Sequence, residues 1–169
     1  MQWKKMLLLV TGLLAVCSRG GDDILSVGDT APAFTLAAGN GDTVSLENFR
    51  DKNYVLLVFY PGDGTPVCTQ QLCELRDDYS ELEKRGVVVF GVNPAEKKSH
   101  EAFSAKHHFP FRLLVDNGST VAAAYRAKGK NKNIRTVYII DKKGTIIFAQ
   151  RGKPPVQEML KAVPPPVAP

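Results

Sequence analysis

A chain of 169 residues that is 44% hydrophobic suits one globular domain with a real core. Its three cysteines are too few for a disulfide-held scaffold, which leaves catalysis, metal binding or plain burial. Taking Lys4 and Lys5 with a cleaved leader from the 22 basic residues leaves 20 against 17 acidic ones, so the net charge of +5 falls to +3. No aromatic-rich basic stripe accompanies it, and no nucleic acid is expected as a partner.

The first residues read as a targeting segment. Lys4 and Lys5 form a positive n-region, and residues 6–16 (MLLLVTGLLAV) are an uninterrupted apolar run. That run is short of the roughly 20 residues of a membrane span but suits a secretory signal. Leu14-Ala15-Val16-Cys17 resembles a bacterial lipobox, which would make Cys17 a lipid anchor and the mature N-terminus. Val16 departs from that pattern, and plain cleavage after Cys17 or Ser18 is also open. The expected boundaries are a signal peptide over 1–17 and a tether over 18–26. The mature protein is then exported, periplasmic or held at the membrane as a lipoprotein; it is cytoplasmic if the leader is not a signal.

Residues 27–36 (VGDTAPAFTL) enter a first strand, which Pro32 confines to a sheet edge or a strand entrance. The turn cluster Gly39-Asn40-Gly41-Asp42 and a return strand at 43–46 predict a β-hairpin, and residues 45–50 a helical turn. Residues 54–60 (YVLLVFY) are apolar without alternation, the pattern of a central strand covered on both faces. Beyond Pro66, the residues Val67, Leu72, Leu75, Tyr79 and Leu82 share one face of a helix that Gly86 ends. Residues 87–92 (VVVFGV) are a second buried strand, and the β-α-β unit so formed implies a parallel pair.

Asn93-Pro94 breaks the chain before a helix over 97–108 with Ala102, Phe103 and Ala105 as its apolar positions. A strand at 111–115, a short helix at 121–125 and a basic loop at 126–133, read as flexible, come next. Strands at 136–140 and 145–149 form a hairpin across Asp141-Lys142-Lys143-Gly144. Pro155 starts a last helix through Val163, and residues 164–169 (PPPVAP) are an extended tail. The fold class is α/β, a thioredoxin-like fold with a central mixed β-sheet flanked by helices and an N-terminal β-hairpin extension. One domain covers 27–153, and the short helix and tail cover 154–169.

The chemistry is expected in residues 59–76 (FYPGDGTPVCTQQLCELR). There the apolar strand runs into a loop broken by Pro61, Gly62 and Gly64, then into the helix that carries Cys68 and Cys73. At such a junction backbone N–H groups point outward and the helix dipole favours an anion, the setting that lowers a thiol's pKa. The residue types alone leave reactive and merely buried cysteines both open.

Pro61-x-x-x-Thr65-x-x-Cys68 matches the peroxiredoxin signature, and the chain resembles that AhpC/TSA-like family over nearly all of 27–153. The Cys68-x4-Cys73 spacing is most similar to the peroxiredoxin Q, or bacterioferritin-comigratory, subfamily. Arg135, just before the hairpin strand, matches the family's second active-site element. The resemblance implies a thiol-dependent peroxidase that reduces hydrogen peroxide and organic hydroperoxides with electrons from a thioredoxin-like dithiol donor. It implies no metal, haem or flavin cofactor. Cys68 is then the peroxidatic nucleophile, and Thr65 places a hydroxyl against both sulfur and peroxide. Arg135 supplies a fixed positive charge, and Pro61, with no donor, shapes and dries the pocket.

Gln71 stands where the family carries Glu, Gln or His, and is expected in the arginine network. Cys73 is implied as the resolving cysteine, closing a disulfide onto the Cys68 sulfenic acid. A step of five residues along a helix sets the Cα atoms about 8–9 Å apart, whereas a disulfide needs less than roughly 7 Å. Oxidation is therefore expected to unwind the first turns of this helix. Monomer and dimer stay open.

Other features are assigned less. Tyr60 and Phe109 either border the pocket or belong to the core. His100, His107 and His108 lack the spacing of metal ligands and read as a solvated helix face. Lys128, Lys130 and Lys132 read as a solvated loop, with donor docking as the other reading. Two rival functions stand beside the peroxidase. One is a thiol–disulfide oxidoreductase on the same fold, which would want Cys-x-x-Cys; the other is a non-catalytic lipid-anchored binding module.

Overall fold

A computed structural model of the chain describes residues 24–165. The expected signal peptide, the Cys17 anchor, most of the tether and residues 166–169 of the tail lie outside the described residues. The chain runs β1 (Thr35–Ala38), β2 (Thr43–Ser45), β3 (Tyr54–Phe59), α1 (Pro66–Asp77), α2 (Tyr79–Lys84) and β4 (Val87–Asn93). It continues through α3 (Lys97–His107), β5 (Arg112–Val115), α4 (Thr120–Ala124), β6 (Thr136–Ile140), β7 (Ile146–Arg151) and α5 (Val156–Leu160). Single 3-10 turns stand at Leu46–Phe49 and Asn117–Ser119. No helix among the described residues is long and apolar enough to cross a membrane.

The strands make one sheet in the order β2-β1-β5-β4-β3-β6-β7. β3, β4 and β5 pair in parallel, as helical crossovers through α1–α2 and α3 require. The β1–β2 hairpin is antiparallel and extends this sheet by pairing with β5, while β6 and β7 close the other side. The unbroken apolar run of β3 has a direct cause in the period of a strand. Leu56, Val58 and Tyr60 face one core with Leu72, Leu75, Leu82, Phe103 and Met159. Val55, Leu57 and Phe59 face a second core with Phe34, Leu46, Val121 and Tyr125. Gly91 of β4 lies under Tyr60: a Cβ there would stand 2.7 Å from Leu113 Cδ2 and 3.0 Å from Tyr60 Cε1. Without that gap the ring could not lie where it does.

Several boundaries depart from the sequence-based expectation. The first strand begins only at Thr35; the residues ahead of it meet β7 and the turn before it through the isolated bridge Thr30–Thr145 and the bond from Gly28 N to the Ile146 carbonyl (2.8 Å). Pro32, lacking an N–H, cannot extend the ladder. The helix expected to run unbroken past Tyr79 turns at Asp78 (φ −95°, ψ 9°), and its apolar stripe runs through Cys68, Leu72 and Leu75 instead of Val67, which is 53% exposed. In α3 the buried residues are His100 and Phe103, while Ala102 and Ala105 are exposed. The loop at 126–133 is bound into a tight turn: Gly129 N donates to Lys132 O at 3.0 Å, and Lys128 bridges Asn133. The last helix ends at Leu160, and Arg85 Nη1 donates to the carbonyls of Leu160 (3.0 Å) and Val163 (3.1 Å) beyond it.

Candidate active site

The chain leaves β3 at Phe59 and must turn into α1 within a few residues. Gly64 makes that turn at φ +70°, a left-handed value that glycine adopts at no steric cost. Thr65 takes the N-cap position and Pro66 the first helical one, where its missing N–H is no loss. Cys68 is the third residue of α1, inside the turn whose N–H groups have no helical partner. Its side chain is fully buried among Tyr60, Val58 and Leu72.

Arg135, immediately before β6, reaches this cysteine from the far end of the sequence. Its Nη2 donates to Cys68 Sγ at 3.0 Å, and its Nη1 donates to Gln71 Oε1. A guanidinium only donates, so this contact fixes which way the Gln71 amide points. Gln71 is 2% exposed, and its Nε2 is buried without a hydrogen-bond partner. Cys68, Gln71 and Arg135 therefore come together in the structure. Thr65 and Pro61 stand in the segment between β3 and α1, and the exposed Thr65 hydroxyl donates to the Gly62 carbonyl at 3.4 Å. Cys73, half-buried on the same helix, is a free thiol, as is Cys68.

A second cluster went unforeseen. Asp63, in the middle of the loop, accepts from the Tyr60 hydroxyl (2.8 Å), Asn93 Nδ2 (2.9 Å) and the Ser99 hydroxyl (2.7 Å). His100 Nδ1 lies 2.9 Å from Oδ2, the oxygen that Ser99 also meets, and His100 Nε2 lies 3.2 Å from the Leu114 carbonyl. His100 is fully buried, which corrects its reading as belonging to a solvated face. Burial works against the Asp63 charge, but the hydrogen bonds from His100, Ser99 and Tyr60 outweigh it and hold the carboxyl at about 2. Burial, with the Asp63 carboxylate next, pushes the Tyr60 phenol well up, so it stays a donor. Asp63 thus ties the loop ahead of Cys68 to β3, β4 and α3 at once. The only trace of this in the sequence is an acidic residue between two glycines; its partners lie up to 37 positions away.

The remaining histidines differ from one another. His108 is exposed in the left-handed region (φ 54°), and His107 is half-buried, its Nδ1 3.8 Å from Cys73 Sγ. Phe109 stacks on His107 and Phe111 at 5.6 and 5.2 Å between centroids, and lines a cleft of about 720 Å³ between α3 and β5. Cys68, Cys73, Thr65 and Arg135 do not line that cleft. Lys128, Lys130 and Lys132 are exposed, Lys128 capping the Gly118 carbonyl at 2.9 Å. No cluster of three or more metal-ligating side chains occurs among the described residues.

The AhpC/TSA family pattern matches residues 27–149. A putative peroxiredoxin bcp of Coxiella burnetii is 42% identical over 130 residues, spanning 72% of this chain and 85% of that protein. The chloroplastic peroxiredoxin Q of Triticum aestivum is 40% identical over 127 residues, 73% of this chain but 58% of that longer protein. Among solved structures, the peroxidoxin BcpB of Mycobacterium tuberculosis superposes with a TM-score of 0.76 at 25% identity, over 80% of this chain and 94% of that one.

Proposed function

The chain belongs to the AhpC/TSA family, and on that premise we propose that it is a thiol-dependent peroxidase in which Cys68 reduces hydrogen peroxide and organic hydroperoxides. The observation that carries this reading is the 3.0 Å approach of the Arg135 guanidinium to Cys68 Sγ at the start of α1. The Cys68 thiolate attacks one peroxide oxygen in line with the O–O bond. The S–O bond forms as the O–O bond breaks, the second oxygen leaves as hydroxide or alkoxide and takes up a proton, and Cys68 becomes a sulfenic acid. The Arg135 guanidinium, lying against the sulfur, stabilises the charge that builds on the departing oxygen during attack. Gln71 holds that guanidinium through its Oε1. Thr65 turns its hydroxyl from Gly62 to the peroxide, and Pro61 lines the entrance without a competing donor.

Cys73 then resolves the sulfenic acid as an intramolecular disulfide. Both cysteines sit in α1 five positions apart, so the first turns must unwind for their sulfurs to meet. A thioredoxin-like dithiol returns the enzyme to its reduced state. With residues 1–17 read as a secretory signal, that donor acts on the exported side of the membrane. The Cys68-x4-Cys73 spacing and the guanidinium on the sulfur do not favour the oxidoreductase rival, which works through Cys-x-x-Cys. Peroxide consumption by Cys68→Ser tests the assignment: activity should vanish, and a wild-type rate would refute the role of Cys68.

A further inference from the structure

Cys73 has a base at hand that the peroxide step does not use. His107, the last residue of α3, holds Nδ1 at 3.8 Å from Cys73 Sγ. Its ring has little freedom, since Phe103 meets it edge-on at 5.1 Å and Phe109 stacks on it at 5.6 Å between centroids. Its carbonyl accepts from Arg76 Nη1 at 2.8 Å, which ties the end of α3 to the turn of α1 that carries Cys73. Arg76 is itself bound to Asp77 at 2.7 Å; that bond first, and the Cys73 sulfur after it, push the guanidinium further up. A thiol, an imidazole and a guanidinium are thus braced together across two helices. Of the charged or titratable groups around it, Cys73 Sγ meets the imidazole itself, Arg76 meets the His107 carbonyl and Asp77 meets Arg76, while its neighbours Lys106 and His108 are exposed.

We propose that His107 is the general base of the resolving step, taking the Cys73 thiol proton as Cys73 attacks the Cys68 sulfenic acid. This rests on the reading of Cys73 as the resolving cysteine. The S–H bond of Cys73 breaks with its proton passing to Nδ1, and the S–S bond forms as the S–O bond of Cys68 breaks. The departing hydroxide recovers the proton from the imidazolium as water. Cys73 sulfur is oxidised, Cys68 sulfur is reduced, and no outside reagent is needed. The Arg76 charge favours the passing thiolate. The same bracing assigns the moving partner. The turn around Cys73 is held by the Arg76–His107 bond and by Lys153 on Glu74 (2.6 Å), whereas Cys68 sits two residues after the helix start, so Cys68 travels to a Cys73 that stays with its base.

The test compares wild type, His107→Gln and Cys73→Ser after one equivalent of hydrogen peroxide, following sulfenic acid by chemical trapping and the disulfide by intact mass. His107→Gln should form sulfenic acid at the wild-type rate yet close the disulfide about 10²-fold more slowly near neutral pH, the range of a lost general base. The deficit should shrink as pH rises and the thiol ionises unaided, and added imidazole should restore some of the rate. Closure at the wild-type rate with an unchanged pH profile would overturn the inference, as would equal slowing of both steps, which marks a structural role. If instead wild type forms no internal disulfide, or Cys73→Ser turns over normally with a dithiol donor, the resolving role of Cys73 itself falls and the inference with it.

Discussion

Phe59 of β3 and Thr136 of β6 are register partners across an antiparallel pair, and this brings Arg135 to Cys68 over 67 positions of sequence. The residue after Phe59 begins the loop into α1, and the residue before Thr136 is Arg135, so the strand ends set the two halves of the site level. The Arg135 carbonyl accepts from Gly152 N at 2.9 Å, which fixes its backbone between β6 and β7. The site is thus built on a rigid sheet on one side and on a helix start on the other.

Arg135→Ala should slow oxidation of Cys68 by peroxide about 10²–10³-fold, the range for losing a preorganised charge at a reacting centre. Arg135→Lys should recover only a fraction of this. An ammonium cannot serve the Cys68 sulfur and the Gln71 carbonyl with one planar fork. Stopped-flow measurement of the oxidation rate checks both, and an unchanged rate in Arg135→Ala would remove the guanidinium from the mechanism.

Gly91→Ala should destabilise the protein by about 1–3 kcal/mol in denaturant unfolding, as overpacking a close-packed core does. The new methyl would press on Leu113 and on the Tyr60 ring, which sits against Cys68. The peroxide step should therefore slow as well, whereas a neutral substitution would mean that Tyr60 is free to shift.

The alternation of β3 between two cores, the parallel β3–β4 pair and the closing hairpin were readable because each depends on local period and short turns. Cys68, Gln71 and Arg135 could be placed together because the loop and strand motifs that carry them are distinctive. His100 could not. A histidine on a polar helix reads as solvated, and only the approach of Asp63 and the Leu114 carbonyl makes its burial affordable in free energy. Val67 was placed on the wrong face because one residue turns a helix by about 100°, and the stripe starts at Cys68 instead. The contact of His107 with Cys73 depends likewise on how α3 lies against α1, which no residue spacing states.

Asp63 gives a pH prediction with a definite sign. Its folded value, about 2, is below the ordinary 3.8, so its hydrogen bonds stabilise the fold above the ordinary value and cease to do so as pH falls through the folded one. Asp63→Asn should melt below wild type at neutral pH, and the gap in Tm should close as pH falls from about 4 towards 2. A gap constant over that range would mean that the carboxylate charge is not what holds the loop.

Hydrogen exchange should register the unwinding that resolution demands. Amides from 69 to 72 should be protected in the reduced protein and exchange faster after oxidation, while those of β3 and β6 keep their protection. Equal protection of α1 in both states would mean that the disulfide forms without opening the helix.

The most direct test of the central claim is the intact mass of the reduced protein after one equivalent of hydrogen peroxide. A loss of two hydrogens with no adduct, replaced by a gain of one oxygen in Cys73→Ser, is the result expected of a Cys68 sulfenic acid closed by Cys73. An unchanged mass, or an oxygen adduct that persists in wild type, would contradict it.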